Sequence, residues 1–266
     1  MSDRSRPRSD QEAAAFALPA DHLPIVIRAT DAFGRGFIQC FTRVQVEGLE
    51  HVPGEGPLIL AANHVSNADP PFIASWLTPA LGRPIHWMAK AEALDWPVAG
   101  WFMRQNGCFG IRRGAADTEA FRLAKSVLDD GRVLGAFPEG TRSPTGALQR
   151  AKDGVTLLAL RTGAPILPVG VAGTDRFWPR GAKVWRIGGR ITMRVGEPFV
   201  LERLVGTDGR RESLDDATTR LMLRIAELLP ERHRGAYAGL LERASAEPSQ
   251  TSPGTPSGEA GDANAG

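Results

Sequence analysis

Five short apolar runs punctuate the chain, at residues 58–62, 85–89, 133–137, 166–171 and 191–195. Runs this brief, bounded by glycine, proline and polar residues, predict strands, several of them buried on both faces. Between them the apolar spacing changes to steps of three and four. Residues 117–130 start polar, place Phe121, Ala124 and Leu128 on one face and stop at Gly131. Residues 154–161 read as a second helix, closed by Gly163. A third covers 213–229, with Ser213 as N-cap and Leu214, Leu221, Ile225 and Leu228 as its stripe. Strands alternating with helices predict an α/β fold: a single domain on a mixed, mostly parallel sheet flanked by helices. In such sheets, sites collect at the carboxyl ends of strands.

One helical pattern precedes the first run. Across residues 23–41, Val26, Ala29, Phe33, Phe37 and Phe41 recur on one side, while Arg28, Asp31, Arg35, Gln39 and Thr42 recur on the other. The charges break the segment well short of the ~18 apolar residues of a membrane span. This is the pattern of an amphipathic helix, which either covers the core or lies in a lipid interface. We expect a flexible arm over 1–22, this helix over 23–45, the main domain over 46–243 and a disordered tail over 244–266. The tail carries no large apolar residue, so it cannot offset its ordering entropy by burial.

Composition narrows the classes. A chain of 266 residues, 42% hydrophobic, supports one sizeable core. The formal net charge is only +2, and no block is strongly basic, which argues against a nucleic-acid binder. Cys40 and Cys108 offer neither a disulfide framework nor a metal spacing, and a reducing compartment is the simplest reading. The N-terminus lacks the basic-then-apolar pattern of a secretion signal. Neither a Gly-x-Ser-x-Gly elbow nor a Gly-x4-Gly-Lys loop is present.

Candidate chemistry begins where the first run ends, in "LILAANHVSNADPP". His64 closes the run and Asp69 follows five residues later. Pro70 and Pro71 suit the first turn of a new helix, with Asp69 as its N-cap. A strand, a tight loop and a helix would let Asp69 fold back onto the His64 ring. A carboxylate on one ring nitrogen fixes the tautomer and leaves the other nitrogen as a base near neutral pH. A capping aspartate beside an idle histidine fits the same residues. A metal site would need at least a third ligand, and His22, His51, His86 and His233 show no ligand spacing.

Three further stretches stand out. "GAFPEGTRS" turns after a strand and presents Glu139, Gly140, Thr141 and Arg142, the last a planar fork suited to phosphate. "NGCFGIRRG" sets Arg112 and Arg113 between glycines. In "TGAPILPVGVAGT", Pro168 interrupts an apolar run, which predicts an edge or bulged strand.

In this order, Asn63-His64-x4-Asp69-Pro70, the 107–113 block, 137–143 and 164–169 resemble the four blocks of the glycerolipid acyltransferase family, over about residues 46–200. The likeness is greatest to its bacterial 1-acyl-sn-glycerol-3-phosphate acyltransferases. Lys90 and Lys152 resemble intervening family positions. The resemblance implies a glycerol-3-phosphate acyltransferase-like fold and transfer of a fatty acyl group from acyl-CoA or acyl-carrier protein to a lysophospholipid hydroxyl. It implies His64 as general base, Asp69 as its orienting carboxylate, and Glu139, Gly140, Thr141, Arg142, Arg113 and Lys90 at the acceptor site. Arg112, Lys152 and Pro168 are further candidates, and no metal or cofactor is implied. Arg112 departs from the family, standing where an acid is usual. That leaves room for another lysophospholipid, an acylated amino acid or a non-catalytic lipid-binding role. A long-chain acceptor further implies peripheral contact with the cytoplasmic face of a membrane, through residues 23–41 and amphipathic contacts from Trp96, Trp101, Phe177 and Trp178.

Overall fold

The computed structural model describes residues 24–111, 117–205 and 210–246. The chain order is α1 (Ile25–Phe41), β1 (Arg43–Glu47), β2 (Leu58–Ala62), α2 (Asp69–Leu81), β3 (Ile85–Lys90), α3 (Ala91–Leu94), α4 (Pro97–Gln105) and β4 (Phe109–Ile111). It continues through α5 (Asp117–Asp129), β5 (Val133–Ala136), α6 (Gly154–Thr162), β6 (Ile166–Ala172), α7 (Thr174–Phe177), β7 (Arg190–Val195), α8 (Leu214–Glu227) and α9 (Ala238–Ala246). All seven strands form one sheet in the order β1-β7-β6-β2-β5-β3-β4. The pairs from β6 to β4 are parallel, β7 is antiparallel to β6, and β1 is parallel to β7.

The central strand β2 shows why the fold forms. Its five residues are fully buried, and their side chains alternate between two cores. Ile59 and Ala61 join α5, α6, α8 and α9 on one face of the sheet. Leu58, Leu60 and Ala62 join α1 and α2 on the other. Ser213 caps α8 as expected, accepting from the Asp216 N–H. α9 reaches Ala246, three residues into the expected tail.

Two expectations change. Pro168 is not on an edge strand, because β6 lies inside the sheet between β7 and β2. Ile166 exchanges both backbone bonds with Phe199, and the Pro168 carbonyl accepts from Gly196, so these alternate residues face the β7 side. The last ladder pair there is Val169 with Val195, and the next, Ile166 with Phe199, has slipped by one residue. The missing N–H thus falls at a bulge beyond the end of β7, as the sequence had allowed.

The second change concerns α1. The helix ends at Phe41, and Arg43–Glu47 is a strand rather than its continuation to 45. Its buried face carries Ile27, Asp31 and Ile38, and of the aromatic stripe Phe37 and Phe41 pack half-buried against the same core. Gly34 sets this choice, since a Cβ there would lie 2.5 Å from Ser75 Oγ on α2. Phe33 is left 74% exposed.

Asp31 is carried into the helix interface as a consequence. Its Oδ2 is buried without a hydrogen-bond partner among the described residues. Burial pushes its carboxyl up to about 7, against a smaller pull from Arg35. Between the ordinary carboxylate range and that value the folded protein holds the extra proton. Asp31 therefore contributes stability at low pH that is lost as the pH rises to about 7. Asp31→Asn should raise Tm more at pH 8 than at pH 5, by a difference on the order of 5 °C. Thermal unfolding of both proteins at both pH values checks this, and equal changes at the two would contradict it.

Candidate active site

The sequence at the end of β2 builds the site. Asn63 leaves the strand but its side chain bonds both backbone groups of Val171 on β6, donating to the carbonyl at 2.8 Å and accepting the N–H at 2.7 Å. The side chain thus replaces one rung of the ladder, which frees the main chain to turn at His64. His64 is held by its own backbone. Its N–H donates to Glu139 Oε1 at 2.7 Å, and its carbonyl accepts from the Ser143 N–H at 2.7 Å.

The ring is fixed independently. His64 Nδ1 lies 2.8 Å from Asp69 Oδ2, and the imidazole stacks on Phe137 with centroids 4.0 Å apart. Phe137 stacks in turn on Trp87. Trp87 occupies the space that a Cβ on Gly135 would fill, within 2.5 Å of the indole, so position 135 admits only glycine without displacing the stack. The His64 side chain is 17% exposed and Asp69 is fully buried.

Asp69 is the first residue of α2, not its N-cap. Its side chain makes no capping bond to the helix, whose first turn holds Pro70 and Pro71. Prolines have no N–H to cap, so the carboxylate turns back to the loop. Oδ2 accepts the Val65 and Ser66 N–H groups, both at 2.7 Å, as well as His64. Oδ1 accepts the Thr174 hydroxyl at 2.5 Å. Four donors thus meet this buried carboxylate, two of them backbone N–H groups. With Nδ1 donating to Asp69, the other ring nitrogen, Nε2, carries the lone pair of a base.

Three adjacent strands deliver these groups. His64 follows β2, the 137–143 turn follows β5, and Thr174 follows β6. All three strands are parallel, so the site occupies their carboxyl ends. The other expected residues divide. Glu139 is buried, with Oε1 on His64 and Oε2 on the Gln149 N–H at 2.9 Å. Burial raises its carboxyl pKa, and these bonds partly offset the rise. It braces the two loops and makes no ion pair with Arg142. Gly140 and Thr141 are exposed and Arg142 is half-buried, and the Lys152 stem would lie 3.1 Å from a Cβ on Gly140. These four form one polar rim beside the pair. Pro168 is buried in the sheet with its ring against Gly196.

Lys90 ends β3 opposite Ile111, and its side chain is outside the described set, as are Arg112 and Arg113 entirely. Cys40 and Cys108 are both free. Among the described residues, no group of three or more His, Cys, Asp or Glu side chains gathers as a metal set. Phe177 is buried, so it offers no surface contact, whereas Trp96 and Trp101 are exposed. Asn63, Thr174, Phe137 and Gln149 act around the pair without having been singled out for it.

The acyltransferase family model matches residues 43–172. The 1-acyl-sn-glycerol-3-phosphate acyltransferase of Pseudomonas aeruginosa is 30% identical over 141 residues, 52% of each chain. The lyso-ornithine lipid O-acyltransferase of the same organism is 35% identical over 126 residues, 46% of each chain. The chain spans about half the length of the curated relatives it matches. Among solved structures, the 1-acyl-sn-glycerophosphate (LPA) acyltransferase PlsC from Thermotoga maritima shares the fold, with a TM-score of 0.63 at 24% identity over 93% of this chain and 86% of that one. The ordered blocks at residues 63–70, 107–113, 137–143 and 164–169 all fall within residues 43–172, the stretch over which the chain is similar to the acyltransferase family.

Proposed function

We propose that the protein transfers a fatty acyl group from acyl-CoA or acyl-carrier protein to the sn-2 hydroxyl of 1-acylglycerol-3-phosphate, giving phosphatidic acid. The observation that carries this reading is the His64–Asp69 pair at 2.8 Å, braced from three strand ends. His64 Nε2 takes the proton of the acceptor hydroxyl as its oxygen attacks the thioester carbonyl. Asp69 holds the ring and balances the imidazolium. The C–S bond of the tetrahedral intermediate then breaks, and the departing thiolate takes the proton from His64. The substrate supplies the nucleophile, so no acyl-enzyme forms. The chemistry calls for no metal or cofactor.

The rim of Gly140, Thr141, Arg142 and Lys152 is proposed to receive the acceptor phosphate, with Arg113, Lys90 and Arg112 as further cations. Arg142 makes no ion pair among the described residues, which suits a guanidinium awaiting an anionic ligand. No described helix is long and apolar enough to cross a membrane. We propose peripheral contact at the cytoplasmic face instead, through α1 and its exposed Ile25 and Phe33.

A second reading keeps the chemistry and changes the acceptor to a lyso-lipid with an amino-acid head group. The 35% identity to the lyso-ornithine lipid O-acyltransferase favours it. An acceptor panel with the purified protein decides between them. Preference for 1-acylglycerol-3-phosphate, with Arg142→Ala raising KM for that acceptor about 10-fold or more and leaving the donor KM in place, is expected. Preference for an unphosphorylated acceptor would favour the second reading, and no transfer to any acceptor would overturn both.

A further inference from the structure

The segment between α7 and β7 plays no part in the chemistry above, yet it carries a concentrated exposed surface. Val184 is 69% exposed, Trp185 41% and Ile187 78%. These residues are not on a loose loop. The Arg186 N–H donates to Phe177 O and the Gly188 N–H to Phe41 O, both at 2.7 Å. The Trp185 ring meets Phe37 of α1 edge-on at 5.0 Å. The segment and the helix therefore form one continuous apolar surface, which includes Phe33.

Cations accompany that surface. Arg180, Lys183, Arg186 and Arg190 are exposed, and the sequence has no acidic residue from 176 to 196. None of the four makes an ion pair among the described residues. An ordered apolar patch among unpaired cations matches an anionic bilayer, with apolar groups for the acyl boundary and cations for the head groups. A second copy of the chain would bring like charges together.

Topology puts this surface at the reacting end of the molecule. β7 runs antiparallel to β6 and β1 parallel to β7. The start of β7 and the end of α1 therefore lie at the sheet end that carries His64. The segment is also bonded to both site loops. Ser66 Oγ donates to Trp178 O at 2.8 Å, and Arg180 donates to Arg142 O at 3.4 Å.

We propose that residues 178–190 are a second lipid-contacting element, selective for an anionic bilayer, which seats the His64 loop at the membrane surface beside α1. The proposal rests on the membrane reading above and adds a separate element to it. The test is cosedimentation of the full chain with vesicles of phosphatidylcholine, with and without phosphatidylglycerol. The wild type should bind the anionic vesicles. Val184→Asp/Ile187→Asp should weaken that binding by about 10- to 100-fold, with Tm and circular dichroism unchanged. Phe33→Asp tests α1 in parallel. Double-variant binding equal to wild type, with binding lost in Phe33→Asp, would overturn the second element and leave the membrane reading standing. A wild type that ignores anionic vesicles would overturn both. A wild-type dimer that the double variant splits, with vesicle binding unchanged, would assign the patch to a second copy and overturn the proposal. None of these readouts depends on turnover, so they stand apart from the acyl-transfer reading.

Discussion

His64→Ala is expected to lower kcat for acyl transfer by roughly 10²- to 10⁴-fold while leaving KM for both substrates nearly unchanged. The size follows from what the ring alone supplies. An alcohol is a poor nucleophile until a base takes its proton as the new bond forms, and Nε2 is the lone pair poised for that task. In the proposed reading substrate affinity comes from other groups, among them the rim cations, so KM has little reason to move. The fold should survive as well. The backbone of residue 64 keeps its bonds to Glu139 and Ser143. Asp69 keeps three of its four donors, Val65, Ser66 and Thr174. What goes is the stack on Phe137 and the bond to Oδ2. Initial rates over a range of both substrates, with Tm measured alongside, separate these effects. Wild-type kcat in this variant would place the base elsewhere.

Asp69→Asn should reduce kcat to a similar degree, on the order of 10²- to 10⁴-fold, for a different reason. The amide has nearly the shape of the carboxylate but only one acceptor oxygen. Oδ2 serves three donors and Oδ1 serves one. If the amide oxygen takes the Oδ2 place, those three bonds survive and only the Thr174 hydroxyl must turn round to accept. The reverse orientation would set an NH₂ group against three donors, so the first should prevail. The imidazole then stays in place but loses the negative charge that balances its protonated form. Stability should fall by only about 1–3 kcal/mol, far less than the catalytic loss implies. Asp69→Ala should cost more stability, because it leaves the buried Val65 and Ser66 N–H groups without their acceptor. A steady-state kcat for Asp69→Asn within a few-fold of wild type would show that orientation suffices without charge.

How much of this was legible depends on the range of the interaction. The five apolar runs became β2, β3, β5, β6 and β7 with ends shifted by a residue or less: β2, β5 and β6 are buried throughout and write that burial into consecutive residues, while β7 alternates buried Ile191, Met193 and Val195 with more exposed neighbours. β1 and β4 were not predicted. β1 alternates Val44 and Val46 with exposed partners at the sheet edge, and β4 has only three residues. Neither gives a run long enough to detect. The face that α1 turns to the core was legible only in part, through Phe37 and Phe41, because an apolar stripe says which residues can be buried. Which residues are buried was decided by the close approach of Gly34 to Ser75. At the site, the His-x4-Asp spacing and the two prolines anticipated that the Asp69 carboxylate would meet the His64 ring. The direction of the Asp69 carboxylate did not follow from them, because a capping role satisfies the same local residues.

The sequence by itself therefore determined the alternation of strands and helices, the order of the four blocks and the identity of the paired histidine and aspartate. These rest on periodicity, turn chemistry and neighbours within a few residues. Only the tertiary structure decided what holds that pair. Thr174 lies 105 positions from Asp69, and Val171 lies 108 from Asn63. Glu139 reaches His64 across 75, and β7 reverses direction to carry residues 178–190 to the same end. Contacts at such separations exist because parallel strands joined by helices bring distant strand ends side by side, and no local pattern records which ends those are.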